Sequence, residues 1–163
     1  MKRADLISTK ILTLPQLLQK LAQWKVSNKQ VAFTNGVFDI LHQGHIFALS
    51  QAAQEATYLI VGINTDSSVK KLKGNNRPIN NQHARSIILA SLLMVDAVVL
   101  FDTDTPLDLI KAILPDVLVK GGDYTLEQIV GANEVLAKGG RVVINPVLDG
   151  FSSTDIIDQM NEP

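Results

Sequence analysis

The amino-acid sequence predicts one α/β domain, a doubly wound parallel sheet of five strands in three layers, α/β/α. Short runs that are apolar on consecutive residues alternate with stretches whose apolar residues recur every three or four positions. These are the marks of strands covered on both faces and of amphipathic helices, and their alternation specifies a parallel sheet wrapped by helices. Polar clusters also fall repeatedly just after a strand, on the carboxyl edge where open α/β sheets bind ligands. With 163 residues, 46% of them hydrophobic and 19% charged, the chain can bury a substantial core and is not of disordered composition.

Residues 1–29 form a helical lead-in and 30–160 the core. Leu14, Leu17, Leu18 and Leu21 make the stripe of a helix from Thr13 to Lys25, with Pro15 in the first turn, where no N–H bond is lost. It either packs over the sheet edge or serves a dimer contact. Gln30 to Thr34 is the first strand, Gly44 to Glu55 a helix, and Thr57 to Ile63 the second strand, a βαβ crossover. Asn64 to Ser68 is a polar strand end and helix cap. Lys70, Lys71, Lys73 and Arg77, broken by Gly74-Asn75-Asn76, make a basic loop that is either a solvated face or a phosphate contact. A helix runs from Asn80 to Val95, capped by Asn80 or Asn81, and Ala97 to Phe101 is the third strand. Asp102 and Asp104 cap the following turn or pair on a metal. Thr105 caps a helix from Pro106 to Leu114. Asp116 to Lys120 is the fourth strand, and the Gly121-Gly122 after it allows a ligand to approach backbone or simply makes a turn. Glu127 to Lys138 is helical with a break near Gly131, Arg141 to Asn145 is the fifth strand, and Ser152-Ser153-Thr154 starts a last helix from Asp155 to Met160.

The chemistry concentrates in Phe33 to Ser50, where a strand breaks at Asn35-Gly36 and resumes in His42-Gln43-Gly44-His45. Histidines at i and i+3 near a helix start share one face. They could bind a metal, exchange protons or donate to a phosphoryl group. Zinc is disfavoured, because His83 is the only other histidine and the chain has no cysteine. The absence of cysteine also excludes disulfides. Neither a Gly-x-x-x-x-Gly-Lys-Ser/Thr loop nor a Gly-x-Gly-x-x-Gly loop is present, which argues against P-loop and dinucleotide enzymes. A helix start that favours anions leaves phosphoryl or nucleotidyl transfer by positioning and charge stabilisation. The net charge of −1 gives no general attraction for nucleic acid or membrane. Lacking a membrane-length apolar run or a secretory signal, the chain is expected to be soluble and cytoplasmic.

Gly36-Val37-Phe38-Asp39-Ile40-Leu41-His42-Gln43-Gly44-His45 resembles the signature of the cytidylyltransferase-like nucleotidyltransferases, which have a Rossmann-like fold. Leu72 to Asn80 with Arg85, Leu118 to Tyr124, and Asp149 to Thr154 resemble the D-glycero-β-D-manno-heptose 1-phosphate adenylyltransferases. That resemblance covers residues 30–160 and implies transfer of AMP from ATP to the heptose 1-phosphate for lipopolysaccharide assembly in bacteria. Members are often fused to a sugar kinase, so a stand-alone form is expected here, and a homodimer.

By the same resemblance the catalytic residues are His42 and His45, donating to the α-phosphate, with Lys73 neutralising charge and Arg85 on the β- or γ-phosphate. Thr34, Asn35, Gly36, Phe38, Gly44, Lys120, Gly121, Asp123, Ser152, Ser153 and Thr154, with His45, are expected on the nucleotide. Asp39, Asn64, Lys70 and Arg77 are expected on the sugar phosphate. No protein metal ligand is expected; Mg²⁺ arrives with ATP. Val147 stands where glycerol-phosphate cytidylyltransferases carry arginine, so that contact is absent or comes from Arg85 or Lys73. Other readings are the same chemistry on glycerol 3-phosphate with CTP or on FMN, and a nucleotide-binding module without turnover.

Overall fold

The computed structural model describes residues 4–148 and 150–161; Asp149, quoted above in the last motif, lies outside them. After a short turn of helix, α1 (Leu6–Thr9), the chain alternates β1 (Ile11–Leu12), α2 (Leu14–Val26), β2 (Val31–Gly36), α3 (Gln43–Gln54) and β3 (Tyr58–Asn64). Helices α4 (Asp66–Lys73) and α5 (Gln82–Ala90) then lead to β4 (Ala97–Phe101), α6 (Leu107–Ile113) and β5 (Val117–Gly121). A 3₁₀ turn, α7 (Ala132–Ala137), β6 (Arg141–Asn145) and α8 (Ser153–Asn161) complete it.

All strand pairings are parallel and the order is β1-β4-β3-β2-β5-β6. The expected five strands are therefore six among the described residues. The extra one, β1, sits at the edge with Ile11 opposite Val98 and Leu12 opposite Val99. Two residues are too few to show a period, and their partner lies far along the chain, so nothing local marks them. Lys70, Lys71 and Lys73, expected in a basic loop, instead form the last turn of α4, and the loop starts only at Gly74. The helix expected over Glu127 to Lys138 is a 3₁₀ turn at Leu126–Gln128 followed by α7 from Ala132. At element ends, α5 stops at Ala90, and Pro106 rather than Thr105 is the cap of α6.

Consecutive strand residues feed opposite cores, as the two-residue period requires. Phe33, Ile60, Val99 and Leu118 pack with Leu17, Leu21 and Trp24 of α2 and with Leu109, Ile110 and Ile113 of α6. Ala32, Val61, Val98 and Val119 pack with Leu49 and Ala52 of α3 and Leu89 and Ala90 of α5. The lead-in helix thus covers a sheet face. Its start is fixed by a capping box between Thr13 and Gln16, with Pro15 in the first turn, an arrangement that contributes about 1 kcal/mol.

Helix α3 follows β2 back over one face, whereas α6 crosses to the other before β5. The order reverses between β2 and β5, and there the carboxyl ends of two adjacent strands splay apart. Such a switch point is where a crevice forms in this architecture.

Candidate active site

A cleft of about 390 Å³ opens at that reversal. Thr34, Asn35 and Gly36 from the end of β2 and Lys120 and Gly121 from the end of β5 form its floor; Phe38, His42, Gly44, His45, Lys73 and the Ser152-Ser153-Thr154 segment form its walls. Sequence reasoning named all of these. It passed over the apolar wall of Tyr124, Val147 and Phe151 as ligand contacts. An exposed aromatic beside a glycine pair or a serine pair was the available signal.

Two helix starts converge on the cleft. His42 occupies the cap position of α3 in extended conformation, yet its side chain makes no capping bond. The first N–H groups of α3 therefore lack a side-chain acceptor, the usual condition for holding an anion. At the start of α8, Ser152 Oγ accepts from the Thr154 N–H at 3.1 Å, and Ser153 Oγ donates to the Ile40 carbonyl at 3.0 Å. That second bond ties the last helix to the loop carrying the histidines.

The His42 and His45 rings stack with centroids 3.7 Å apart and planes 21° from parallel. Phe38 closes on His45 at 5.1 Å, and the Phe151 ring lies 6.3 Å from His42. Neither histidine Nδ1 has a hydrogen-bond partner among the described residues, although both atoms are buried. Burial pushes the His42 pKa down. For His45, burial, then the neighbouring His42 charge and, more weakly, Lys73 lower it to about 4, against a bond to the Ile40 backbone that favours protonation. At neutral pH the pair is uncharged, so each ring has one N–H to donate.

Two glycines make this packing possible. A Cβ on Gly44 would stand 3.0 Å from Phe151 Cβ and 3.1 Å from the His42 ring. A Cβ on Gly36 would stand 2.9 Å from the Phe38 ring. Phe38 itself has φ +50°, a left-handed conformation that costs a side-chain-bearing residue about 1–2 kcal/mol.

The positive charge of the cleft comes from Lys73 and Lys120; among the described residues no Asp or Glu lines it. Lys120 Nζ stands 5.5 Å from the Tyr124 ring centre, and burial lowers its pKa. An anion entering here meets hydrogen-bond donors and two cations.

Not every expected residue comes to the cleft. Arg85 is completely buried behind the loop, donating to the Asn80 carbonyl at 3.0 Å, the Val37 carbonyl at 2.8 Å and Asp66 Oδ1 at 2.7 Å. In this structure it braces the loop and does not face a triphosphate. Asn64 is buried and gives its side-chain N–H to Ser68 Oγ. Lys70 and Asp123 are exposed and line no part of the cleft. Asp102 accepts from the Thr65 and Ser67 hydroxyls at the start of α4 and so ties two strand ends together, rather than capping the turn that follows it. Among the described residues there is no group of three or more potential metal ligands, and no helix long and apolar enough to cross a membrane.

A parallel sheet with a cation-lined crevice at its switch point and a neutral histidine pair between helix starts defines a class, the nucleotidyltransferases. The comparison with known proteins agrees. The cytidylyltransferase-like family model matches residues 33–159, and the chain belongs to that family. It is 52% identical over 147 residues to a protein named bifunctional protein HldE from Hyphomonas neptunium, covering 90% of this chain and 30% of that one. Against the protein of the same name from Caulobacter sp. K31 it is 50% identical over 162 residues, covering 99% and 33%. The chain thus spans about a third of the length of these relatives. Among solved structures, the lipopolysaccharide core biosynthesis protein from Thermoplasma volcanium aligns with a TM-score of 0.59 at 25% identity, covering 74% of this chain and 97% of that one. Pantoate-β-alanine ligase from Francisella tularensis, at 18% identity and a TM-score of 0.57 over 90% of this chain and 75% of that one, shares the fold.

Proposed function

We propose that the protein transfers AMP from MgATP to D-glycero-β-D-manno-heptose 1-phosphate, giving ADP-heptose and pyrophosphate for lipopolysaccharide core assembly in the bacterial cytoplasm. The observation that carries the reaction type is the stacked, neutral His42–His45 pair, with unpartnered ring nitrogens in a cation-lined cleft. The choice of sugar rests on the resemblance of three segments: Leu72 to Asn80, Leu118 to Tyr124 and the one ending at Thr154. The lipopolysaccharide core biosynthesis protein among the structural relatives is in keeping with it.

In this reading an ionised oxygen of the sugar phosphate bonds to the α-phosphorus as the bond to the β-phosphate bridging oxygen breaks. Pyrophosphate leaves with that electron pair, and no proton has to move. His42 and His45 donate to the α-phosphate oxygens as charge grows on them, and Lys73 neutralises that charge. Lys120, Tyr124 and Phe151 hold the nucleoside, and the start of α8 holds phosphate. Magnesium belongs to the donor and is held by phosphates and water. A homodimer belongs to the same proposal; sedimentation showing monomer alone would remove it.

The test is pyrophosphate release with ATP or CTP against the heptose 1-phosphate, glycerol 3-phosphate and FMN. Release with ATP and the heptose phosphate, lost in His42→Ala, is expected. Release with glycerol 3-phosphate or FMN in its place moves the acceptor, and release with none sinks the proposal.

A further inference from the structure

Four aromatic rings stand in a row along the cleft. Phe38 leans on His45 with centroids 5.1 Å apart and planes at 58°, and His45 stacks on His42. The Phe151 ring lies beyond His42 at 6.3 Å, 23° from parallel. Both outer contacts fall within the range of favourable aromatic pairs. A histidine that works on a ligand is ordinarily aimed by a hydrogen bond through its other ring nitrogen. His45 has an anchor of this kind in the Ile40 backbone. His42 does not: its Nδ1 is buried without a partner among the described residues, and the side chain makes no capping bond at the start of α3. Its orientation is left to the ring faces on either side, His45 and Phe151.

The two ends of the row are set from different parts of the chain. Phe38 is fixed locally, by its left-handed backbone and by Gly36, which leaves room for its ring. Phe151 arrives with α8, whose first turn is pinned to the histidine loop by the bond from Ser153 Oγ to the Ile40 carbonyl. Gly44 lets it come close, since a Cβ there would stand 3.0 Å from Phe151 Cβ. At 40% exposed, Phe151 is no core residue, and it stays open to the cleft it lines. An apolar plate at this place also withholds water from His42, whose pKa burial lowers. The titratable side chains that share the cleft with His42 are His45 on α3, Lys73 at the end of α4, and Lys120 and Tyr124 at and beyond the end of β5. None of these draws a proton onto His42, so access of water decides its charge.

We propose that Phe151 is the positioning residue for His42: carried in by α8, it closes the open face of the histidine stack and holds the His42 ring for donation to the α-phosphate. The assignment rests on the nucleotidyl-transfer reading above and adds what orients this donor.

Steady-state pyrophosphate release with MgATP and the heptose 1-phosphate compares wild type, Phe151→Leu and Phe151→Tyr. Leucine keeps an apolar surface for the nucleoside but removes the ring, whereas tyrosine keeps the ring. The Leu variant loses about tenfold in kcat with an ATP KM within about threefold, and the Tyr variant stays within about twofold of wild type in both. A kcat unchanged in the Leu variant, or lowered alike in both variants, overturns the assignment. A second measurement needs no turnover: proton NMR titration of the histidine ring signals in the ligand-free protein, with His42 assigned by its loss in His42→Gln. The His42 midpoint moves up towards the ordinary histidine value in the Leu variant and stays with wild type in the Tyr variant. Midpoints equal in wild type and the Leu variant, or shifted alike in both variants, overturn the assignment. Should wild type turn over no acceptor while the midpoint follows the ring at position 151, the positioning role stands and the heptose reading falls. If the Leu variant does not fold, Phe151→Met carries both measurements.

Discussion

Two sets of polar side chains border the loop from β2 to α3, and they are completed in opposite ways. Behind the loop, Arg85 spends its donors on Val37, Asn80 and Asp66 and has no exposed surface. In front, His42 and His45 are half-buried and stacked on each other, with buried Nδ1 atoms that bond to nothing described. The first set is finished by folding, and the second is left to be finished by a ligand. Buried polar groups in a folded protein are normally satisfied, so the exceptions mark where something else is meant to bind. The contrast also gives the two sets different duties: the rear set fixes the left-handed Phe38 and its neighbours, and the front set presents donors to phosphate.

Substitutions should separate those duties. Arg85→Gln removes a buried cation from three acceptors and should cost about 3 kcal/mol of stability, the low end for a broken buried pair because Asp66 is partly exposed and can rehydrate. Urea unfolding would show a lowered midpoint, and an unchanged one would end the claim that this set braces the loop. His45→Ala should act the other way. It should lower kcat by about 10²–10³, the range for losing one transition-state donor, with little change in urea midpoint or ATP affinity. Equal losses in kcat and ATP binding would mean that the histidine serves the ground state.

Gly44→Ala probes the seam between α3 and α8. Phe151 and the His42 ring must each give by a few tenths of an ångström, so kcat/KM should drop about tenfold. Stability should move by less than about 1 kcal/mol, since overpacking opposes the better helix propensity of alanine. Full activity would show the histidine geometry to be tolerant.

The smallest effect is with pH. The His45 pKa is near 4 in the folded protein and ordinary, about 6.5, when unfolded, so below pH about 6.5 the unfolded chain takes up the proton first. Stability therefore decreases as pH falls from about 6.5 towards 4 and is unaffected by this group at neutral pH. Wild type should lose more melting temperature between pH 7 and pH 5 than His45→Gln does. Parallel losses would mean that burial of the ring has little energetic weight.

The sequence alone carried the alternation of strand and helix, the parallel sheet and the placing of polar clusters after strands. These are local: a period of two or of three to four, a cap, or a glycine is read from a few neighbouring residues. Thirteen of the residues expected at the site line the cleft, among them both histidines, Lys73, Lys120 and the last helix start. Edge strand β1 was beyond reach because its two residues acquire meaning only beside β4. The duties of the cations were equally beyond reach. Lys70, Lys73 and Arg77 are equivalent as letters in one basic stretch, and Arg85, in the helix after it, carries no mark of its own. Tertiary structure turned Arg85 inward to Asp66 and Val37, set Arg77 on Asp39, left Lys70 at the surface and brought Lys73 to the cleft. What a charged side chain does depends on which partners reach it and whether water does, and distant segments supply both only when the sheet closes them together.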